Sequence, residues 1–110
     1  MAVSNTDDHF RNHGFILTED GWRLSPMYDV NPDIYGENLS LNVDEYDSSI
    51  DFNLAIEASS YYGLSSKEAE DGVDEIKKIV KNNWQRLAKD YDISRGQIEK
   101  MKPAFRECEY

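Results

Sequence analysis

Residues 65–91 read SSKEAEDGVDEIKKIVKNNWQRLAKDY, and this stretch sets the fold class. Ser65 with Glu68 three positions on has the form of a capping box, in which each group satisfies a backbone N–H the helix start leaves free. Ala69, Val73, Ile76, Val80, Trp84, Leu87 and Tyr91 then recur at the spacing of one helical face. Gly72 costs about 1 kcal/mol relative to alanine without ending the helix, because the stripe continues through it. A helix from about Ser66 to Asp90 is therefore expected, with its stripe in the core.

To the C-terminal side, Ser94 with Gln97 repeats the capping pattern. A second helix with Ile98, Met101 and Phe105 on its inner face is expected, kinked or restarted at Pro103. To the N-terminal side, SSIDFNLAIEASSYYG (48–63) offers serine caps, apolar positions at Ile50, Leu54, Ala58 and Tyr61 or Tyr62, and Gly63 as a left-handed stop. Earlier still the period changes. FILTEDGWRL (15–24) contains two short β-prone runs, Phe15–Leu17 and Trp22–Leu24, joined as a hairpin with Gly21 at positive φ. SPMYDVNPDIYGEN (25–38), rich in prolines and turn formers, reads as a loop, and LSLNV (39–43) as a further short strand. The class is α+β, mainly α: one domain over 1–110, with a polar, turn-rich part over 1–47 and a helical part over 48–110.

The formal net charge is −10, which argues against gripping a phosphate backbone through a basic face. Residues 1–63 hold 12 acidic groups against Arg11 and Arg23, whereas residues 64–110 balance at 10 and 10. The excess in the first half serves solubility or faces something positive, a divalent cation or a basic partner surface. No run of about 18 apolar residues offers a membrane span, and the start, MAVSNTDD, lacks the basic and apolar regions of a signal peptide. A soluble, cytoplasmic protein without membrane or direct nucleic-acid contacts is expected. Cys108, the single cysteine, makes no internal disulfide and is expected to be a buried or terminal thiol.

SNTDDHFRNHG (4–14) is too polar for a core element, so it is a solvated tail or a loop that carries chemistry. Asp7 is a candidate general base, Asn12 a neutral oxygen ligand, and Asp29 a carboxylate that the hairpin returns to the same end. One Asp and one Asn beside a nucleotide suffice for Mg²⁺, which keeps its remaining positions for water and phosphate oxygens. Phosphoryl transfer to a hydroxyl asks little more of this half of a site. Two other readings stand beside this one. Asp8 or His9 with His13 has a spacing that holds a transition metal on a helix, although Gly14 and the hairpin cut such a helix short. Asp8, Arg11 and His13 also suit the purely local task of pinning a polar loop's backbone.

NTDDHFRNHGF (5–15), GWRLSPMYDVNP (21–32) and MKPAF (101–105) together resemble the C-terminal part of HipA-type serine/threonine kinases, the toxin kinases of bacterial toxin–antitoxin modules. The resemblance implies the helical large-lobe end of a kinase-like fold, with a small β-hairpin next to the catalytic loop. It implies Asp7 as the proton acceptor, His9 and Asn12 at nucleotide and metal, and Tyr28 and Asp29 as the metal-binding segment. Asn12 and Asp29 are then the Mg²⁺ ligands. ATP and Mg²⁺ are the implied cofactors. No glycine-rich phosphate loop is present, and no lysine precedes Lys67, so the group that grips the nucleotide phosphates has no candidate here. The chain is accordingly expected to be a fragment, inactive until an N-terminal lobe completes it, with an upstream-encoded kinase half or an antitoxin as partner. The alternative is a non-catalytic binding module that contacts an antitoxin or partner protein.

Overall fold

The computed structural model describes residues 1–109. A 3₁₀ turn at Phe10–Asn12 leads into a hairpin of β1 (Phe15–Thr18) and β2 (Gly21–Leu24). After a long connection come α1 (Phe52–Glu57), which continues as a 3₁₀ segment to Tyr62, then α2 (Ser66–Asp90) and α3 (Arg95–Met101). A 3₁₀ turn over Lys102–Phe105 leads into α4 (Arg106–Glu109). About half the chain is helical, and the only sheet among the described residues is the two-stranded antiparallel hairpin. No helix among the described residues is long and apolar enough to cross a membrane.

Both capping boxes form. Ser65 Oγ accepts from Glu68 N at 3.2 Å while Glu68 Oε2 accepts from Ser65 N at 2.9 Å. Ser94 and Gln97 exchange the same pair of bonds. The Ser65 N–H, and then its hydroxyl, hold the Glu68 carboxyl below the usual carboxylate range. Gly72 lies within α2 without breaking it. α1 is capped by Asp51, whose carboxylate accepts from Asn53 N at 2.8 Å, and not by a serine. Gly63 supplies the expected left-handed stop at φ 73°. At Pro103, which has no N–H to donate, the last helix tightens into the 3₁₀ turn and restarts.

The core is small and lies at the C-terminal end. Trp84, Ile98, Ala104 and Phe105 form it, with Val3, Ile34, Val80, Ala88 and Met101 packed around it. The rings of Trp84 and Phe105 stack at 4.1 Å between centroids, 9° from parallel. Trp84 Nε1 donates to Glu109 Oε1 at 3.1 Å, which satisfies the indole N–H and ties α2 to α4. Lys77 stands 5.5 Å from the centre of the Phe52 ring and links α1 to α2 through a cation–π contact. Cys108 is buried, as expected. Desolvation pushes its thiol up, and Sγ donates to Ala2 O at 3.2 Å.

Two expectations fail. LSLNV forms no strand: Asn38 and Ser49 make an isolated bridge, and the residues between them loop out. The reason lies in the acidic turn that follows it. Asp44 Oδ1 accepts from the N–H groups of Tyr46 and Asp47, and Asp47 Oδ1 accepts from that of Ser49, so carboxylates take the donors a ladder would use. The helical stripes also overstate the core. Ile76 and Leu87 on α2, Tyr91 at its C-terminal cap and both Tyr61 and Tyr62 are exposed, because a helix of 25 residues outruns the short elements that pack on it.

Gly36 is fixed by sterics. A Cβ there would meet Thr6 Cγ2 at 2.1 Å, and its carbonyl accepts from the Arg106 guanidinium. Gly36→Ala is expected to destabilise the chain by about 1–3 kcal/mol, the usual cost of overpacking. Urea denaturation followed by circular dichroism measures this, with Gly96→Ala, where a Cβ meets nothing within 4 Å, as the tolerated comparison.

Candidate functional site

The opening loop is held from behind by the C-terminal end of the chain. Val3 packs on the Trp84 cluster, and Cys108 bonds to Ala2 O. Ser4 is completely buried at a left-handed φ of 49°, Asn5 after it is buried as well, and the chain reaches solvent at Asp7. Thr6 Oγ1 then donates to Asp33 Oδ2 at 2.7 Å, and the Asp33 N–H bonds to Val3 O. Tyr35 N–H, then Thr6, lower the Asp33 carboxyl below its ordinary range. Thr6 lies within NTDDHFRNHGF and Asp33 just past GWRLSPMYDVNP, yet neither is legible as a site residue from the sequence. The NPDIYG turn is the only signal, since an Asp two residues before a tight turn tends to accept its N–H groups.

From Asp7 onward the loop carries the polar side chains that the sequence singles out. Asp8 and His13 pair at 2.8 Å across the 3₁₀ turn, which is the loop-pinning role. His9 Nε2 lies 3.9 Å from Asp7 Oδ1, while its Nδ1 is buried without a hydrogen-bond partner. Asp7 itself is exposed, with a side chain 81 % accessible, as suits a group that meets an external proton donor.

The expected hairpin forms, with Phe15 opposite Leu24, Thr18 opposite Gly21 and Gly21 at φ 105°. Its ends therefore meet, and Ser25 N bonds to Gly14 O at 2.8 Å. That closure brings the two halves of the proposed ligand set together. Asn12 is buried beneath the turn, with Nδ2 3.5 Å from Asp29 Oδ2. The Tyr28 hydroxyl donates to Arg11 O at 2.7 Å and fastens the returning chain to the loop. Asp29 has a left-handed φ of 55°, and its Oδ1 accepts from Asn31 Nδ2 at 2.9 Å, so a local bond sets the direction of the carboxylate.

Asn12 and Asp29 are thus neighbours, whereas no hydrogen bond or ion pair among the described residues joins Asp7 to either; its partner is His9. The Asp29 carboxylate suits a hard cation that keeps water or phosphate in its other positions, and Asn12, whose Nδ2 faces that carboxylate here, would have to turn its amide oxygen toward the cation to join it. A transition-metal site is not assembled: no group of three His, Cys, Asp or Glu among the described residues is placed to hold a metal. Behind the loop lies a cavity of about 350 Å³, walled by Val30, Phe52, Ile76 and Val80 and edged by Asn5 and Asn12.

Comparison with known proteins adds the family. No curated protein and no solved structure matches the chain. The family model described as HipA-like C-terminal domain matches residues 1–84, from the first residue into α2, and includes the whole loop, the hairpin and the Tyr28–Asp29 segment; Met101–Phe105 lies beyond the match. The matched part is the part that carries the polar site, and the chain belongs to the family of HipA-like C-terminal domains.

Proposed function

We propose that this chain is the catalytic-loop half of a HipA-like serine/threonine kinase, which transfers the γ-phosphate of ATP to a protein hydroxyl once an N-terminal lobe completes it. The observation that carries the reading is the closure of the hairpin. It sets buried Asn12 against Asp29, 17 positions away, on the loop that also bears an exposed Asp7. In this reading Asp7 accepts the proton of the attacking hydroxyl, and its carboxylate is free to do so because no hydrogen bond among the described residues occupies it. His9 flanks Asp7 and, with Tyr28, faces the nucleotide. Asn12 and Asp29 hold Mg²⁺, which when bound offsets the charge of the phosphates. Family membership implies a toxin–antitoxin context, and an antitoxin or a separately encoded N-terminal half is the expected partner.

By itself the chain should show no measurable kinase activity and weak ATP binding, since the glycine-rich loop and the phosphate-binding lysine lie outside it. The metal assignment is testable without activity. Mn²⁺, used in place of Mg²⁺, should broaden the amide resonances of residues 12 and 29 before those of other acidic segments, and Asp29→Ala should abolish that preference. Uniform broadening across all carboxylate-bearing loops would overturn the assignment.

A second reading, the non-catalytic binding module, draws on the hairpin surface. Phe15, Leu17, Trp22 and Leu24 are 63–69 % exposed, as is Met27 beyond them at 85 %. A two-stranded hairpin is marginal alone, and an apolar one this bare suits a protein partner. In that case the Asn12–Asp29 pair would show no preference for Mn²⁺.

A further inference from the structure

Away from the loop, residues 43–45 fold back on the end of the 3₁₀ segment that follows α1. The Tyr62 hydroxyl donates to Val43 O at 2.7 Å and fixes the two together. Between them is a cleft of about 210 Å³ lined by Val43, Asp44, Glu45, Tyr61 and Tyr62. The cleft is smaller than the roughly 300–1,000 Å³ of ordinary small-molecule sites, and suits a single side chain. Its walls are aromatic and its edge is anionic. Asp44 is engaged in the turn it caps, but no ion pair or hydrogen bond among the described residues engages the Glu45 carboxylate. Tyr61 is 75 % exposed.

The surrounding sequence withholds the natural partner for such a cleft. From residue 24 to residue 66 there are eight carboxylates and no lysine or arginine. No ion pair among the described residues brings a lysine or arginine from elsewhere in the chain to Glu45, so the complementary charge is left to another molecule. We propose that the cleft docks an arginine side chain of a partner protein. A guanidinium is planar, so it stacks on a tyrosine face while its N–H fork meets a carboxylate, and it sheds water more readily than an ammonium. Tyrosine and arginine are also the residues that concentrate binding energy at protein interfaces. This inference is independent of phosphoryl transfer, and its readout needs no activity.

The test is an amide-shift titration of the full chain with the peptide acetyl-Gly-Arg-Gly-amide, and with its citrulline counterpart, which keeps the shape and lacks the charge. The arginine peptide should give saturable shifts at residues 43–45 and 61–62, and the citrulline peptide should not. Glu45→Gln and Tyr61→Ala should each weaken binding about fivefold or more. Asp20→Asn, which removes the same charge from the hairpin turn, should leave it unchanged. Both Glu45 and Tyr61 are exposed, so the variants keep the fold, which dispersed spectra would verify. Equal shifts with citrulline, equal or tighter binding of acetyl-Gly-Lys-Gly-amide titrated in the same way, an Asp20→Asn effect as large as that of Glu45→Gln, or no saturable shift at millimolar peptide would each overturn the proposal.

Discussion

In a complex of this chain with a kinase N-terminal half, Asp7→Asn should lower turnover about 10²- to 10⁴-fold, the range a positioned general base contributes. The substitution preserves size and polarity and removes only the ability to take a proton. Because the Asp7 side chain is exposed and its one close partner is His9 at 3.9 Å, folding has little stake in it. A measured melting temperature unchanged from the parent would separate lost chemistry from lost structure. KM for ATP should change little, since the residues assigned to the nucleotide are His9, Asn12, Tyr28 and Asp29. Glu57→Ala, at an exposed position at the end of α1, serves as the control and should leave turnover nearly unaltered. Turnover within about twofold of the parent for Asp7→Asn would mean that another group accepts the proton.

The largest effect on stability should come from Trp84→Ala, at about 3–5 kcal/mol. The indole is the centre of a core that has few other large members: it stacks on Phe105 and bonds to Glu109. Small domains are stable by only about 5–15 kcal/mol, so such a loss consumes much of the total. The expected result in urea is a large fall in the unfolding midpoint with a single cooperative transition in the parent. Removing a helix cap makes a useful comparison. Ser65→Ala should cost about 1 kcal/mol, because it deletes one bond to the backbone and leaves the core intact. The Trp84 variant should also loosen the opening loop, since Val3, at the root of that loop, packs on the same cluster. Faster amide exchange at residues 5–12 in the variant would register this coupling.

Much of this architecture follows from short-range rules that the sequence displays openly. Ser65 and Glu68, or Ser94 and Gln97, announce a helix start because the residues that satisfy its free N–H groups lie three positions apart. Gly21 and Gly63 mark turns because positive φ is cheap only for glycine. The loop–hairpin–Tyr-Asp order likewise brings Asn12 to Asp29 by chain geometry alone. What was hidden depends on partners distant in sequence. That Asp44 and Asp47 would capture the N–H groups of Tyr46, Asp47 and Ser49, on the segment that folds back beside LSLNV, is decided by side-chain competition, which alternation does not encode. That Tyr61, Leu87 and Tyr91 remain exposed depends on how far neighbouring elements reach, a tertiary matter. Thr6, Asp33, Gly36 and Arg106, which brace the loop from behind, span up to 70 positions and carry no local pattern.

The central claim is that this chain contributes the proton acceptor and metal ligands to a site that another polypeptide segment completes. It is tested most directly by radiolabelled phosphoryl transfer. The chain, a HipA-like kinase N-terminal half, and their mixture would each be incubated with γ-labelled ATP, Mg²⁺ and a serine-containing protein acceptor. Formation of the complex would be established by size-exclusion chromatography. The account predicts label on hydroxyl side chains in the mixture alone, and its loss when the chain carries Asp7→Asn. A stable complex that transfers no label, or one whose transfer is indifferent to Asp7→Asn, would contradict it.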